Sequence, residues 1–219
     1  MIDKMLYVTI EGIDGSGKTT VTTRLVDSLK QEGYRVGYFT MLPYNKLREV
    51  VLWDKELTPL QRATLYKVGA ETTRLKMLES AAEFDIAFVE RGVDTFIAYQ
   101  GFGDELRSEV STLLSLYPEF PIPDKTIYLD VPIHLAYKRT HLRGEALDHF
   151  EQKEEAFFTR VKEGFEHRQE VDQMRAKELD CEARIVRIDG TLDQNTVYHY
   201  AYHNVKRLLT KEGKNPSAV

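Results

Sequence analysis

Short apolar runs alternate along the chain with longer amphipathic stretches. Residues 6–10, Leu-Tyr-Val-Thr-Ile, read as a buried strand stopped at Gly12. Residues 19–30 read as a helix, with Val21, Leu25, Val26 and Leu29 on one face and Gly33 closing it. Residues 35–40 form a second strand ended by Pro43. Helix follows from about residue 46 and again from Thr58, where Thr58-Pro59 supplies a cap and a first-turn proline. Further strands are predicted at 86–89, 126–129 and 184–188, and helices at 105–116, 133–140, 150–174 and 193–209. Five apolar strands separated by helices predict an α/β domain built on a five-stranded parallel sheet flanked by helices. Pro118, Pro121 and Pro123 read as a loop feeding the fourth strand, and the chain from about residue 212 to 219 as a flexible tail.

Composition narrows the class. A length of 219 residues fits a single domain spanning 1–219, and 42% hydrophobic residues suffice for a core, excluding a disordered chain. No apolar run approaches the roughly 20 residues of a membrane span, so no membrane partner is expected. Residues 1–5 lead straight into the first strand, which predicts no leader peptide. One cysteine, Cys181, allows no internal disulfide, is read as inert, and points to a reducing, cytoplasmic setting. A formal net charge of -5 argues against a broad nucleic-acid surface but leaves room for small anionic ligands held by local cations.

Chemistry enters at Gly12-Ile13-Asp14-Gly15-Ser16-Gly17-Lys18-Thr19, a complete G-x-x-x-x-G-K-[ST] loop between strand and helix. Its glycines let successive amides point inward, and the following helix aims its positive end at the same place. Lys18 reaches the β- and γ-phosphates, and the Thr19 hydroxyl is placed to ligate Mg²⁺. These features predict a nucleoside triphosphate and the three-layer P-loop NTPase architecture. A guanine-reading Asn-Lys-x-Asp is absent, since Asn45-Lys46-Leu47-Arg48 lacks the acid, so a kinase is favoured over a GTPase switch. Strand three ends in Glu90-Arg91. A carboxylate there can touch the metal or its waters, and an arginine can hold a phosphate bidentately; a surface ion pair is the plainer alternative. Asp130 is a second candidate acid. His199 and His203, with Tyr198, Tyr200 and Tyr202, read as a packed or solvated helix face, not as a metal or nucleic-acid site.

The stretch Ile10-Glu11-Gly12-Ile13-Asp14-Gly15-Ser16-Gly17-Lys18-Thr19-Thr20 resembles the phosphate loop of the thymidylate kinase family. Glu90-Arg91 with Thr95-Phe96-Ile97-Ala98-Tyr99-Gln100-Gly101 is similar to that family's acceptor motif. Arg139, Arg143-Gly144-Glu145 and Leu147-Asp148-His149-Phe150-Glu151 are similar to its lid, and Ile188-Asp189-Gly190 to its adenine-side turn. The resemblance implies transfer of the ATP γ-phosphoryl group to dTMP, or to a related or modified deoxynucleoside monophosphate, with Mg²⁺ as cofactor. It also implies a helical lid at about 140–152 and a homodimer.

Roles carry over by position. The donor would lie on Gly12, Asp14, Gly15, Ser16, Gly17, Lys18, Thr19 and Thr20, with Arg139 and Asp189 beyond. Arg48 and Arg74 would hold the acceptor and its pyrimidine carbonyl, Arg91 its phosphate, and Asp14, Thr95, Tyr99 and Gln100 its sugar and base. Thr19 and Glu90 would carry the metal. Family members place a catalytic arginine in the loop or in the lid; Gly15 takes the loop position, which leaves Arg143 first and Arg139 second, beside Lys18, Arg91 and Glu90. Residues 40–45 lack a familiar arginine, so Leu42 and Tyr44 would pack the base. Glu90 replaces the usual aspartate, and Gly92 a larger residue. Glu-Arg is also similar to deoxynucleoside kinases, but residues 40–45 offer no acid to serve as their base. A deoxynucleoside kinase and a non-catalytic nucleotide-binding module therefore stand as alternatives.

Overall fold

β1 (Leu6–Glu11) is buried at every position, as a strand covered on both faces must be. In the computed structural model, which describes residues 5–116, 122–142, 144 and 146–216, β1 lies between β3 (Ile86–Glu90) and β4 (Lys125–Asp130). β2 (Val36–Thr40) and β5 (Ile185–Asp189) form the edges, giving the all-parallel order β2-β3-β1-β4-β5. The five strands match the predicted ones to within a residue or two. Ile10 pairs with Glu90, and the Arg91 amide donates to the Ile10 carbonyl at 3.1 Å. That register brings the loop after β1 and the acid-arginine pair after β3 to one sheet edge, where ligands bind in open α/β folds.

Helices cover both faces. α1 (Lys18–Gln31) and α8 (Gln194–Lys211) pack Leu25, Leu29, Val197 and Val205 on one side. On the other lie α2 (Asn45–Trp53), α3 (Pro59–Glu79) and α5 (Arg107–Leu116), then α6 (Ile133–Leu142) and α7 (Glu155–Glu178). Thr58 caps α3 ahead of Pro59, as the sequence predicts, and closes a capping box with Gln61.

Two features differ from the pattern-based expectation. α4 (Val93–Phe96) runs on into a π-helical turn, Ile97–Gly103, where no helix was predicted. α7 crosses this turn closely: a Cβ on Gly103 would stand 2.6 Å from the Phe157 ring, and one on Gly164 2.7 Å from the Ala98 Cα. The wide turn and two glycines make that approach possible, a tertiary demand with no local periodicity. Second, α7 begins at Glu155, not near residue 150. The Asp148 carboxylate takes the amides of Phe150 and Glu151 at 2.9 and 3.0 Å and holds them in a turn. At the other end α8 continues to Lys211, and the Lys214 side chain beyond it is buried. Pro118, Pro121 and residues 217–219 lie outside the described residues.

A buried ion cluster joins these layers. Asp94, its side chain 1% exposed, accepts from Arg168 at 2.9 Å and from Arg184 at 2.7 Å. It thereby ties α4 to α7 and to the residue preceding β5. Removing one partner from such a cluster strands the buried charge of the others. Asp94→Ala is expected to destabilise the fold by about 3–5 kcal/mol, read as a lower denaturant midpoint with unchanged slope.

Candidate active site

The loop between β1 and α1 turns on Gly12, Gly15 and Gly17, with φ of +141°, +80° and +97°, backbone values that side chains rarely adopt. A Cβ on Gly12 would meet the Leu129 carbonyl at 2.7 Å, and one on Gly15 the Ala136 carbonyl at 2.3 Å. Gly15 is therefore seated against α6, and no arginine fits there. Lys18 opens α1 and folds back, donating to the carbonyls of Gly12 and Ile13 at 3.0 and 2.9 Å. Burial, helped by the nearby Arg91 charge, lowers its pKa to about 8. The Ser16 hydroxyl is buried and has no partner among the described residues. A cradle with an orphaned donor and a retracted lysine is what an anion would complete.

Facing the loop, Glu90 accepts from the Thr19 hydroxyl at 2.9 Å and from the Tyr38 hydroxyl at 2.7 Å. Arg91 has left-handed backbone, φ +65°. Its guanidinium pairs with the Asp14 carboxylate in the phosphate loop and lies 5.0 Å from the Tyr99 ring centre. Tyr99 in turn donates to Asp14 at 2.9 Å. Below them Glu11 is fully buried and accepts from the Thr95 hydroxyl; burial and the charge of Asp94 raise its pKa to about 7.

Apart from Glu11, Gly12 and Ile13, which lie behind its wall, the residues of the loop and of β3's end line one cavity of about 680 Å³. Toward β5 its wall holds Arg139, which donates to the Gly190 carbonyl at 3.0 Å, and Arg24, which lies over the Tyr198 ring. Toward β2 it holds Leu42, Arg48, Tyr66 and Gln100. The segment before α7 closes it from above: the His149 amide donates to the Leu52 carbonyl at 2.9 Å, and Phe150 packs edge-on against Tyr99. Two anion-holding groups, Lys18 and Arg91, thus line one space.

The thymidylate kinase family model matches residues 10–189. A thymidylate kinase from Alkalilimnicola ehrlichii is 31% identical over 168 residues, covering 73% of this chain and 77% of the relative. One from Acinetobacter baumannii is 30% identical over 185 residues, covering 80% and 92%. One from Bordetella pertussis is 29% identical over 194 residues, covering 85% and 92%. The chain belongs to the thymidylate kinase family.

Most residues matched to the thymidylate kinase motifs meet in the cavity. Residues 14–20 line its floor, Leu42, Arg48, Thr95, Tyr99 and Gln100 the β2 side, and Glu90, Arg91 and Arg139 the remainder. Gly12 lies behind the loop and shapes it. Three expected contacts are not made. Arg74 is drawn along α3 onto Glu71, its Nη2 2.6 Å from Oε1, and does not line the cavity. Tyr44 caps α2 and is half exposed, with the Lys76 ammonium 4.4 Å from its ring centre. The Asp189 carboxylate turns away to accept from the Thr191 amide and hydroxyl at 2.9 and 2.6 Å, leaving its neighbour Gly190 on the wall. Asp130, the second candidate acid, is spent on Lys162 and Arg187. Arg143 lies outside the described residues.

Sequence reasoning missed Arg24, Tyr38 and Tyr66 and gave Asp148 only as part of the lid; all four line the cavity. Periodicity could have found two of them. Arg24 follows the loop-side Val21 by three residues on α1, and Tyr38 shares a strand face with Thr40.

Two outcomes follow from this geometry. Lys18 is charged below about pH 8 and must regain a proton to face phosphate above it, so ATP affinity weakens as pH rises from 7 to 9. The loss is expected to be several-fold, and Lys18→Arg, which stays charged, should lack it in a titration of a fluorescent ATP analogue. Arg74→Ala should leave acceptor KM within about two-fold of wild type, because its guanidinium is held on Glu71 and does not line the cavity.

Proposed function

We propose that this protein transfers the γ-phosphoryl group of ATP to the 5′-phosphate of dTMP or a closely related deoxypyrimidine monophosphate. The observation that carries this is the placement of Arg91 in the same cavity as the phosphate loop and Lys18. A nucleoside acceptor would have no phosphate for that guanidinium. The relatives named thymidylate kinase support the choice of dTMP.

In this reading Lys18 and the loop amides hold the donor phosphates. Arg91 exchanges Asp14 for the acceptor phosphate, and Arg48 adds a second charge. Asp14, released, accepts a sugar hydroxyl. Phosphoryl transfer asks little covalent chemistry of the protein, so alignment of two anions and neutralisation of spread charge supply most of the rate. By the family resemblance, Arg143 would supply the catalytic cation that Gly15 cannot. The lid segment, resting on α2, excludes water that would hydrolyse ATP.

A magnesium ion fits the remaining groups. Thr19 and Glu90 present hard oxygen ligands at the cavity mouth, and Mg²⁺ is usually held by one or two protein groups together with phosphates and waters. Bound there, it would neutralise charge on the β- and γ-phosphates. ATP and Mg²⁺ are plentiful in the cytoplasm, where a lone exposed cysteine is also at home. A homodimer is supported by an exposed apolar stripe along α3, formed by Leu60, Val68, Leu75 and Leu78.

Coupled ADP release tests the reaction. Turnover with dTMP and none with thymidine is expected, and turnover with thymidine would overturn the proposal. Glu90→Gln should lower kcat by about 10² or more while leaving Mg²⁺-free ATP affinity within a few-fold. Light scattering should give twice the 25.4 kDa chain mass, and Leu75→Glu should return it to one.

A further inference from the structure

The base end of the acceptor pocket offers few ways to tell one pyrimidine from another. Thr95 gives its hydroxyl to Glu11, and Tyr99 gives its own to Asp14. Thr40 donates to the Leu42 carbonyl at 3.2 Å, and Asp148 is occupied by the amides of Phe150 and Glu151. Arg91 is engaged at the phosphate side, and the charge of Arg48 acts on Tyr38, beside Glu90. Arg74, the guanidinium expected at the pyrimidine carbonyl, is bound to Glu71 outside the cavity.

Gln100 remains. It sits in the π-helical turn, is 1% exposed, and lines the cavity; its Oε1 has no partner among the described residues. Tyr66 lines the same wall, and its hydroxyl is also buried without a partner. A hydroxyl can turn to donate or to accept.

We propose that the acceptor site accepts keto and amino pyrimidines alike, so that dCMP is phosphorylated as well as dTMP. This rests on the monophosphate kinase reading above. Thymine presents an N3–H donor beside the O4 acceptor, whereas cytosine presents an N3 acceptor beside the N4 amino donor. A primary amide meets the first pair with Oε1 on N3 and Nε2 on O4. Rotated by half a turn, it meets the second pair equally well. A guanidinium fixed on O4 would break that symmetry, since it only donates. In this chain Gln100 Oε1 has no partner among the described residues to hold the amide in the orientation it adopts.

The test compares kcat/KM of the purified full-length protein for dTMP, dUMP, dCMP and dGMP. The expected result is dCMP within about ten-fold of dTMP, with dGMP far below both. A site committed to one hydrogen-bonding pattern rejects the wrong one by about 10⁴ or more, so a dTMP preference above about 10³ would overturn the proposal, as would dGMP turnover equal to dCMP. Gln100→Leu should lower dTMP and dCMP turnover by similar factors, about 10–100 each. Loss confined to dTMP would show an amide held in one orientation and would overturn it. Absence of turnover with every monophosphate, in protein that still binds ATP, would instead sink the kinase reading, and this inference with it.

Discussion

The ion pair between Arg91 and Asp14 organises the cleft. It joins the end of β3 to the phosphate loop after β1, across the point where the two strands stop in register. Arg91 reaches Asp14 with left-handed backbone at φ +65°, a conformation disfavoured for any residue with a side chain and held by its surroundings. Its amide is fixed on the Ile10 carbonyl and its guanidinium rests over Tyr99. The Asp14 carboxylate keeps the guanidinium aimed at the cavity, ready to exchange a carboxylate for a phosphate of similar geometry.

The rest of the architecture protects that arrangement. Gly15 lies flush with α6, so the loop and the helix leading into the lid are one packed unit, and position 15 has no room for an arginine. Lys18 is held on two backbone carbonyls, a loose arrangement that an incoming triphosphate improves. Glu90, one methylene longer than the aspartate common in the family, is braced on its far oxygen by Tyr38 from the neighbouring strand. Tyr38 thus takes up the extra reach and keeps the carboxylate beside Thr19.

Much of this was legible in the chain. Strand runs and the cap at Thr58 are local signals, and the phosphate loop carries its geometry in its own glycines. The unread parts depend on contacts between distant segments. The π-helical turn at Ile97–Gly103 exists to receive α7, whose Gly164 lies more than sixty residues away. The delayed start of α7 follows from Asp148 preferring nearby amides to a helix. Arg74 has the right side chain on the right helix, but Glu71, three residues before it, claims it first. Tyr66, about two turns earlier on the same helix, lines the cavity instead. The motif match anticipated which phosphate-side residues line the cavity, and diverged from the structure most on the base side, where side-chain competition decides.

The most direct test of the shared donor and acceptor cleft is a crystal structure with adenosine and thymidine joined through a pentaphosphate. The terminal phosphate on the thymidine side should lie within hydrogen-bond distance of the Arg91 guanidinium, with the Arg91–Asp14 pair opened and the adenosine-side phosphates on the loop amides and Lys18. An intact Arg91–Asp14 pair, with the thymidine outside the cavity, would contradict the assignment of Arg91 to the acceptor.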